Sequence, residues 1–487
     1  MRRATRRLSA AGAALLSLGA AACVGPNFHR PAPPSVESFT AQTLAAQTAE
    51  AAGPGGAAQR FLSESEVPRN WWTLFGSEPL NQMVSEALRA NPDVLSAQAS
   101  LRQALENTAA QRGSYFPQAQ GSFDASRNRD ATGVLSPNLS SGQAVYNLFT
   151  PQVTVSFVPD VFGANRRAVE SLAAQAEAAR YQLDATYLTL TANVVTAAIQ
   201  AAGLRDQIAA TMRMVSLESE SLAVLKRELE LGAVAEADVY AQDAALAQLE
   251  ASLPPLKRQL QITEDQLAAL LGRTPSQFSA PTVSLDGIAL PVDVPVGLPS
   301  QLVDRRPDVR AAEAQLHAAT ANVGVATANL LPQFTLTGDA GSSGTALNQL
   351  FKAGAGFWSI GANATQTVFA GGTLIHKKRA ADAALDQAAA AYKSSVLTAF
   401  QNVADALHAL DNDADALKAA TRAMSAAQLS LGVSQRQLAL GSVSYLALLN
   451  SEQTYSQALV LQIQARTSRL VDTAALFNAL GGSISPL

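Results

Sequence analysis

The sequence lacks the residue patterns of the common enzyme classes. Its 487 residues include one cysteine, four histidines and 6% aromatic residues. A single cysteine excludes an intrachain disulfide, and the histidines are scattered without the spacing of metal ligands. A phosphate-binding glycine loop and a nucleophile elbow are also missing from the sequence. These absences argue against an enzyme and against a resident metal or cofactor.

Positive charge and long apolar runs are scarce as well. The formal net charge is −4, and it becomes −8 without residues 1–22, which carry four arginines and no acid. An acidic chain argues against a nucleic-acid partner. After residue 23 no continuous apolar run is long enough for a transmembrane helix. If the protein crosses a membrane, it therefore does so with strands.

The N-terminus has the pattern of a secretory signal peptide. Four arginines precede an apolar run that begins at Leu8 and ends at Ala22, directly before Cys23. We predict that residues 1–22 are removed and that the Cys23 thiol carries a lipid. Val24, which follows, resembles the outer-membrane sorting pattern of bacterial lipoproteins. The alternative is a soluble periplasmic protein cleaved near Ala22, with an incidental thiol.

Residues 23–78 are predicted to form a lipidated N-terminal tether. Pro, Ala, Gly and Ser are abundant up to about residue 68, a composition typical of an extended segment without a core of its own. Trp71 and Trp72 follow this segment. We expect the two tryptophans to anchor the tether to the body of the protein rather than to bind a ligand.

One stretch of the chain occurs twice. Both copies begin with Pro-Asp-Val and end with Pro-Gln, and the spacing between two prolines is the same in each: Pro92 to Pro117, and Pro307 to Pro332. Such agreement indicates a duplicated unit of about 200 residues. We place the first structural repeat at residues 79–290 and the second at 291–487, with both forming one composite body.

Each repeat contains two segments with the alternation of a β-strand. In the first copy they lie at 114–128 and 152–158, and in the second around 334–339 and 358–363. One apolar face and one small polar face is the pattern of a transmembrane β-barrel, although a soluble hairpin gives the same alternation. Four strands cannot close a barrel. A dimer, trimer or tetramer would therefore have to share one, because open strand edges are not tolerated in lipid.

A long helix is predicted after each hairpin, over residues 165–231 and 372–440. Apolar residues recur every seven positions, which is typical of a left-handed coiled coil. The main rows are Tyr187, Val194, Ala201, Ile208, Val215, Leu222 and Leu229 in the first helix, and Val396, Val403, Leu410, Leu417, Met424, Leu431 and Leu438 in the second. The companion rows are Leu183, Leu190, Ala197, Leu204 and Leu225, and then Ala399, Ala406, Ala420 and Ala427.

The long helices are predicted to turn back at glycines. Gly232 and Gly441 follow them, and a return helix of about 35 residues comes after each glycine, with a kink expected at Pro254-Pro255 in the first. A single helix is predicted before the first hairpin, over residues 79–112. Each long helix spans about 100 Å. Because the predicted helices contain many more residues than the four strands, the fold class is mainly α with a small β part.

Four stretches carry a resemblance to a known family. They are Cys-Val-Gly-Pro-Asn-Phe-x-x-Pro at 23–31, Asn-Trp-Trp-x-x-Phe at 70–75, Gly-Leu-Pro-Ser-x-Leu-x-x-Arg-Arg-Pro-Asp-Val at 297–309, and Leu-Gly-x-Val-x-Tyr-Leu-x-Leu-Leu at 440–449. The chain resembles the TolC-like outer-membrane factors of tripartite efflux systems, most closely the OprM and NodT-type lipoprotein branch. The resemblance covers nearly the whole chain after residue 22.

The resemblance implies a homotrimer in the outer membrane, anchored by lipid and extending into the periplasm. Three chains would share one twelve-stranded barrel and one α-helical tunnel. It implies a passive duct for drugs or other small molecules, which docks a periplasmic adaptor protein and an inner-membrane pump of the RND type. The turns at Gly232 and Gly441 would be the periplasmic tips where the adaptor docks.

The resemblance also implies a periplasmic gate, carried by the helix that follows the second turn. Its positions fall on Leu446 and Asn450. Leucine matches the family pattern at the first position. Asn450 replaces the usual aspartate, which removes a ring of three charges from the trimer.

Two alternatives to the efflux duct stay open at this point. One is the outer-membrane duct of a type I protein secretion system, because a passive duct takes its cargo from its pump. The other is a lipid-anchored periplasmic coiled-coil scaffold, which would explain the heptads and Cys23 but leaves the two hairpins unexplained. The acids Asp411, Asp413 and Asp415 could suggest a cation site, but we interpret them as a solvated helix face.

Overall fold

The computed structural model describes residues 24–36, 38–41, 45–62, 65–129, 145–279, 281 and 283–481. The predicted signal peptide, Cys23 and the polar loop of the first hairpin lie outside these ranges. The chain divides into two compact units. The strand unit comprises Met1–Arg30, Leu101–Ala178 and Ala312–Tyr392, and the helix unit comprises Pro31–Ser100, Ala179–Ala311 and Lys393–Leu487.

Helices account for most of the described residues. In chain order they are α1 (Glu78–Ala90), α2 (Pro92–Arg112), α3 (Ala164–Glu230), α4 (Glu236–Leu270), α5 (Pro299–Arg305), α6 (Pro307–Ala328), α7 (Thr373–Ala439) and α8 (Tyr445–Leu480). The two long helices have 67 residues each, and the return helices have 35 and 36. These lengths confirm the predicted long and return helices. Helix α4 continues through Pro254 and Pro255.

The single helix predicted over 79–112 is wrong in one respect, because α1 and α2 are separated at Asn91. A residue that precedes proline disfavours the helical conformation, and Asn91 is extended, with ψ of 128°. Its side-chain Oδ1 accepts a hydrogen bond from the backbone N–H of Asp93 at 2.8 Å, which caps α2. Its Nδ2 donates to the carbonyl of Leu270 at 2.9 Å. The break therefore ties the start of α2 to the end of α4.

The strand unit contains one antiparallel sheet in the order β2-β3-β5-β6, with strands β2 (Gln118–Arg129), β3 (Val145–Phe157), β5 (Gln333–Ser342) and β6 (Gly356–Thr365). The four predicted strands are confirmed. The first strand begins at Gln118 rather than at residue 114, because Gly113–Tyr115 forms a 3-10 turn. The second extends back to Val145. Two short strands, β1 (Arg60–Leu62) and β4 (Asp293–Pro295), pair in parallel in the helix unit.

The predicted heptad rows form the buried seams of the long helices. Val194 and Ala201 of α3 and Val403, Leu410 and Leu417 of α7 are all buried. One helix, α3, contains an 18-residue window with a mean hydropathy of 1.2, apolar enough to cross a membrane by composition, and 67% of that window is buried inside the protein. Such burial is typical of a core helix.

Segment 48–62 is fastened to the helix unit, which corrects the prediction of an extended tether without a core. We call this segment the strap. It forms β1 and surrounds the Arg469 guanidinium of α8, which is 0% exposed. Arg469 donates hydrogen bonds at 2.9 to 3.3 Å to Thr48 Oγ1, Gln59 Oε1 and the carbonyls of Gly55 and Ala57. Backbone carbonyls in an irregular segment need donors once they are buried, and Arg469 supplies them.

Trp71 anchors the end of the tether, as predicted. Its ring is fully buried and packs against Phe75 and against Phe477 of α8, with ring centroids 6.3 and 5.4 Å away.

The Arg-Arg-Pro-Asp-Val motif at 305–309 also holds parts of the fold together. Arg306 donates to the carbonyl of Ala479 at 2.9 Å and pairs with Asp308, so it ties the end of α8 to the start of α6.

Candidate functional site

The sheet of the strand unit has one apolar and one polar face. On the apolar face Trp358 is 76% exposed and Ile360 is 82% exposed. The register places both on the face of Val153 and Val155, through Ala340 and Gly338 of β5. Large apolar side chains that are exposed in neighbouring rows indicate contact with lipid or with another copy.

The polar face carries hydroxyl, amide and carboxylate groups. Asp339 lies at its centre and accepts hydrogen bonds from Thr154 Oγ1 at 2.7 Å and from Ser359 Oγ at 3.0 Å. These contacts link β3, β5 and β6 across the face. A face of this kind suits the water-filled side of a membrane barrel.

The sheet is incomplete in a single chain. Among the described strands, β2 and β6 each pair along one side only. Unpaired strand edges expose backbone N–H and C=O groups, which lipid cannot satisfy. Strands from further copies must therefore complete the sheet if it spans a membrane.

The two predicted tip turns have the same backbone geometry. Gly232 and Gly441 adopt left-handed φ values of 72° and 71°. After α3, the N–H groups of Gly232 and Ala233 donate to the carbonyls of Leu229 and Glu228, both at 2.9 Å. After α7, the corresponding bonds join Gly441 to Leu438 at 2.8 Å and Ser442 to Gln437 at 2.9 Å. Each turn is a Schellman motif, which needs glycine at the left-handed position.

The predicted gate residues lie on the first turns of α8. The side chain of Leu446 is 53% exposed, and Asn450, one helical turn further on, is exposed on the same side. Leu448, half a turn from Leu446, and Leu449 are buried. The start of α8 therefore buries part of its surface inside the chain, and the predicted gate positions Leu446 and Asn450 stay exposed.

Two side chains on the buried face of α8 contact α3 and α4. Tyr445 packs against the apolar cluster Leu222, Leu225, Val239 and Leu246 of α3 and α4. Glu452 is 5% exposed, and its Oε2 atom has no hydrogen-bond partner among the described residues. It faces Glu218 of α3, whose carboxylate accepts a hydrogen bond from the buried Gln242 amide of α4.

Burial shifts the protonation of these groups. Desolvation, with a smaller contribution from the charge of Glu218, raises the pKa of Glu452 to about 7. Desolvation also raises the pKa of Glu218, and the Gln242 hydrogen bond opposes that shift. Burial and the neighbouring Glu228 raise the pKa of the Tyr445 phenol. Near pH 7 the Glu452 carboxyl is therefore partly protonated.

A second carboxyl pair corrects the interpretation of the acids at 411–415. Asp413 is half-buried and hydrogen-bonds Asp472 of α8, and burial and that contact raise its pKa to about 7. The solvated face was therefore wrong for Asp413, although Asp415 is exposed. No group of three or more His, Cys, Asp or Glu side chains in the described ranges is arranged to hold a metal ion.

Sequence reasoning missed Glu218, Glu452 and Arg469. A signal for one of them was present, because the companion heptad row of α3 is apolar or small at most positions but carries Glu218. The companion row of α7 is interrupted in the same way by Asp413. A charged residue in a buried row must find a partner or a proton.

Comparisons with known proteins agree with this geometry. A profile of the family described as "Outer membrane efflux protein" matches residues 83–273 and 298–482. The pyoverdine export outer membrane protein OpmQ of Pseudomonas putida is 28% identical, over 92% of this chain and 96% of its own. Outer membrane protein OprJ of Pseudomonas aeruginosa is 27% identical, over 96% of this chain and 95% of its own.

Solved structures give the same result. The outer-membrane channel OprN superposes with a TM-score of 0.84 at 28% identity, covering 94% of this chain and 99% of that one. The open state of the MtrE channel of Neisseria gonorrhoeae superposes with a TM-score of 0.80 at 25% identity, covering 94% and 98%. The long helices and four-stranded sheet are those of a channel subunit.

The chain belongs to the outer membrane efflux protein family. It is an outer-membrane efflux channel with a periplasmic extension, and it is a transporter rather than an enzyme. Channels of this family form trimers in tripartite efflux systems. The resemblance seen in the sequence is confirmed.

Proposed function

We propose that three copies of this chain form the exit duct of a tripartite pump for small molecules. The observation that carries the proposal is the single four-stranded sheet with an exposed apolar face and two unpaired edges. Three such sheets give twelve strands, enough for a closed barrel. The two structural repeats, 79–290 and 291–487, would then contribute equivalent parts of the wall.

We propose a periplasmic adaptor and an RND-type inner-membrane pump as partners. The adaptor would dock at the tips around Gly232 and Gly441, and the matching Schellman turns, which give the two tips the same backbone geometry, support this proposal. Small-molecule cargo is supported by the relatives, which are named for pyoverdine export and cation efflux. Protein cargo has no comparable support.

Negative-stain electron microscopy of the detergent-purified protein tests the duct. We expect hollow particles with three-fold symmetry and a length set by helices of 67 residues. Thin solid rods or particles without a lumen would contradict the shared barrel.

The gate is the second part of the proposal. Leu446 and Asn450 would narrow the periplasmic entrance, since both are exposed while the opposite face of α8 is packed inside the chain. Opening would then move the start of α8 away from α3 and α4. The Tyr445 and Glu452 contacts would resist that movement.

Conductance of the trimer in planar lipid bilayers tests the gate. Leu446→Gly should raise conductance, because it removes the bulky group without changing the buried face. Leu461→Ala is the matched control, since Leu461 is also exposed on α8 but lies four turns further along. Equal conductance of correctly assembled Leu446→Gly and wild-type channels would rule out Leu446 as the constriction.

Lipid anchoring at Cys23 is the third part. Residues 24–30 are docked in the strand unit, which supports an anchor held close to the sheet. Gly25 approaches Gly324 of α6 so closely that a Cβ would lie 2.5 Å from its Cα. Phe28 stacks on His317, with ring centroids 4.5 Å apart. Arg30 pairs with Glu313 at 3.0 Å.

Mass spectrometry of the mature protein tests the anchor. We expect an N-terminal peptide beginning at Cys23 with the added mass of a diacylglyceryl thioether and an amide-linked acyl chain. A Cys23→Ser chain should lack this mass. An unmodified cysteine in protein purified from outer membranes would contradict the proposal.

A further inference from the structure

Two aspartates hold equivalent places in the two hairpins. Asp124 lies seven residues after Pro117, and Asp339 lies seven residues after Pro332. Each is paired with a hydroxyl residue on the next strand of its own hairpin, Thr150 for Asp124 and Ser359 for Asp339. The internal repeat therefore presents the same carboxylate twice in one sheet.

Both aspartates lie on the polar face. Side chains alternate along a strand, and Asp124 shares its face with Thr150, which lies four residues from Thr154 on β3. Thr154 pairs with Asp339 and donates to its carboxylate. Across the four strands as described, the charged residues that the register puts on this face are Asp124 and Asp339. Arg127 and Arg129 of β2 lie on the apolar face.

The Asp339 carboxylate is held in place rather than free to swing away. Two hydroxyl groups from the strands on either side donate to its two oxygens. Asp124 accepts from Ser122 Oγ at 3.5 Å and is exposed. Among the described residues of the four strands, neither carboxylate has a cationic partner on its face of the sheet. Their negative charge therefore acts on water and solutes in front of the polar face.

We infer that Asp124 and Asp339 form a ring of six carboxylates inside the shared barrel and make this part of the duct prefer cations over anions. The inference rests on the proposed trimer. Asp124 and Asp339 pair with Thr150 and Thr154, which are four residues apart on β3. The strands of a closed barrel are tilted from its axis, so equivalent residues of neighbouring hairpins are staggered along the strands but lie at one level of the barrel. Like-signed charges lining a narrow passage concentrate counter-ions there.

The inferred ring and the proposed gate are formed by different residues. The proposed gate residue Asn450 is uncharged. Cationic and zwitterionic solutes would pass the ring more readily than anions of the same size.

The test is the reversal potential of the full-length trimer in planar bilayers under a KCl gradient. For Asp124→Asn with Asp339→Asn we expect the ratio of K⁺ to Cl⁻ permeability to fall by about tenfold, the lower end of the enrichment that lining charges produce. Each single substitution should give an intermediate ratio. The difference should be large at about 0.1 M salt and small at about 1 M, where the Debye length is only about 3 Å.

Arg127→Gln is the matched control, since it changes a charge on the same strand but on the opposite face. It should leave the ratio unchanged. A doubly substituted trimer with normal conductance and a wild-type ratio would overturn the inference while leaving the duct intact. Absence of conductance in the wild-type trimer would instead contradict the proposed function.

Discussion

The two return helices begin with the same backbone but with different side chains. Where α8 has Tyr445, Leu446 and Asn450, α4 has Glu236, Ala237 and Ala241 at the equivalent positions after its turn. Glu452 is buried against Glu218, whereas its counterpart Asp243 is exposed. Duplication preserved the glycine turn, which the backbone needs. Leu446 and the buried Glu452 therefore have no equivalent in α4, and the two return helices differ in side-chain chemistry at these positions.

Arg469 should give the largest effect. Its counterpart in α4 is Leu260, so only α8 carries a buried cation at this place. Arg469→Met keeps the side-chain volume but leaves two strap carbonyls without donors, which should cost about 3 kcal/mol. The midpoint of thermal unfolding should fall, and limited proteolysis should cut within residues 48–62.

Arg60→Gln is the control for the strap. Arg60 pairs with Asp293, and both side chains are more than half exposed. An exposed ion pair contributes little, so this substitution should leave proteolysis unchanged. Equal sensitivity of the two variants would show that Arg469 does not hold the strap.

Gly203 of α3 comes next. A Cβ at this position would lie 2.8 Å from the Cγ2 atom of Thr467 in α8. Gly203→Leu should therefore destabilise the chain by about 2 kcal/mol through overpacking.

In α7, Gly432 has nothing within 4 Å of the added Cβ, and its counterpart in α3 is Ala223. Gly432→Ala should stabilise by about 0.5–1 kcal/mol, since alanine favours helix; a loss at Gly432 would reveal a contact between copies.

The turn glycines test whether the two backbones are equivalent in the assembled protein. Neither Gly232 nor Gly441 has an atom within 4 Å of an added Cβ, so only the left-handed φ opposes substitution. Each alanine should cost about 1–2 kcal/mol. Thermal unfolding of Gly232→Ala and Gly441→Ala should give the same shift. A silent substitution at one turn would mean that this turn changes conformation on assembly.

The buried Glu452 carboxyl predicts a pH dependence that its exposed counterpart Asp243 does not share. Its pKa is about 7 in the folded chain against an ordinary value of 4.5. The stability that depends on its proton is fully present below pH 4.5 and is lost as pH rises through about 7. The unfolding temperature should fall between about pH 4.5 and about pH 7, and Glu452→Gln should make that slope shallower. Asp243→Asn should leave the slope as in wild type.

The sequence was sufficient for the parts of the fold that follow from periodicity. Heptad rows located α3 and α7 within a residue or two, and alternation located all four long strands. The break at Asn91 was missed because a proline can either interrupt a helix or begin one. The strap was missed because its contacts are made by Arg469, about 410 residues away along the chain, and composition carries no information on such a partner.

The burial of two carboxyls, Glu218 and Asp413, is predictable from the sequence. Glu218 and Asp413 each interrupt a heptad row that is otherwise apolar or small. Treating each interruption as a buried charge would have pointed to both pairs. Glu452 could not have been found in this way, because its burial depends on how α8 packs against α3 and α4.

The unpaired edges of β2 and β6 have a consequence for biogenesis. One copy exposes two edges, and so does a pair of copies joined side by side; only the third copy removes them all. Intermediates therefore offer a template for wrong pairing, and their lifetime depends on how quickly further copies arrive. The rate of correct assembly should rise steeply with the local density of newly exported chains. Confining them to the surface of one membrane would shorten the search for partners.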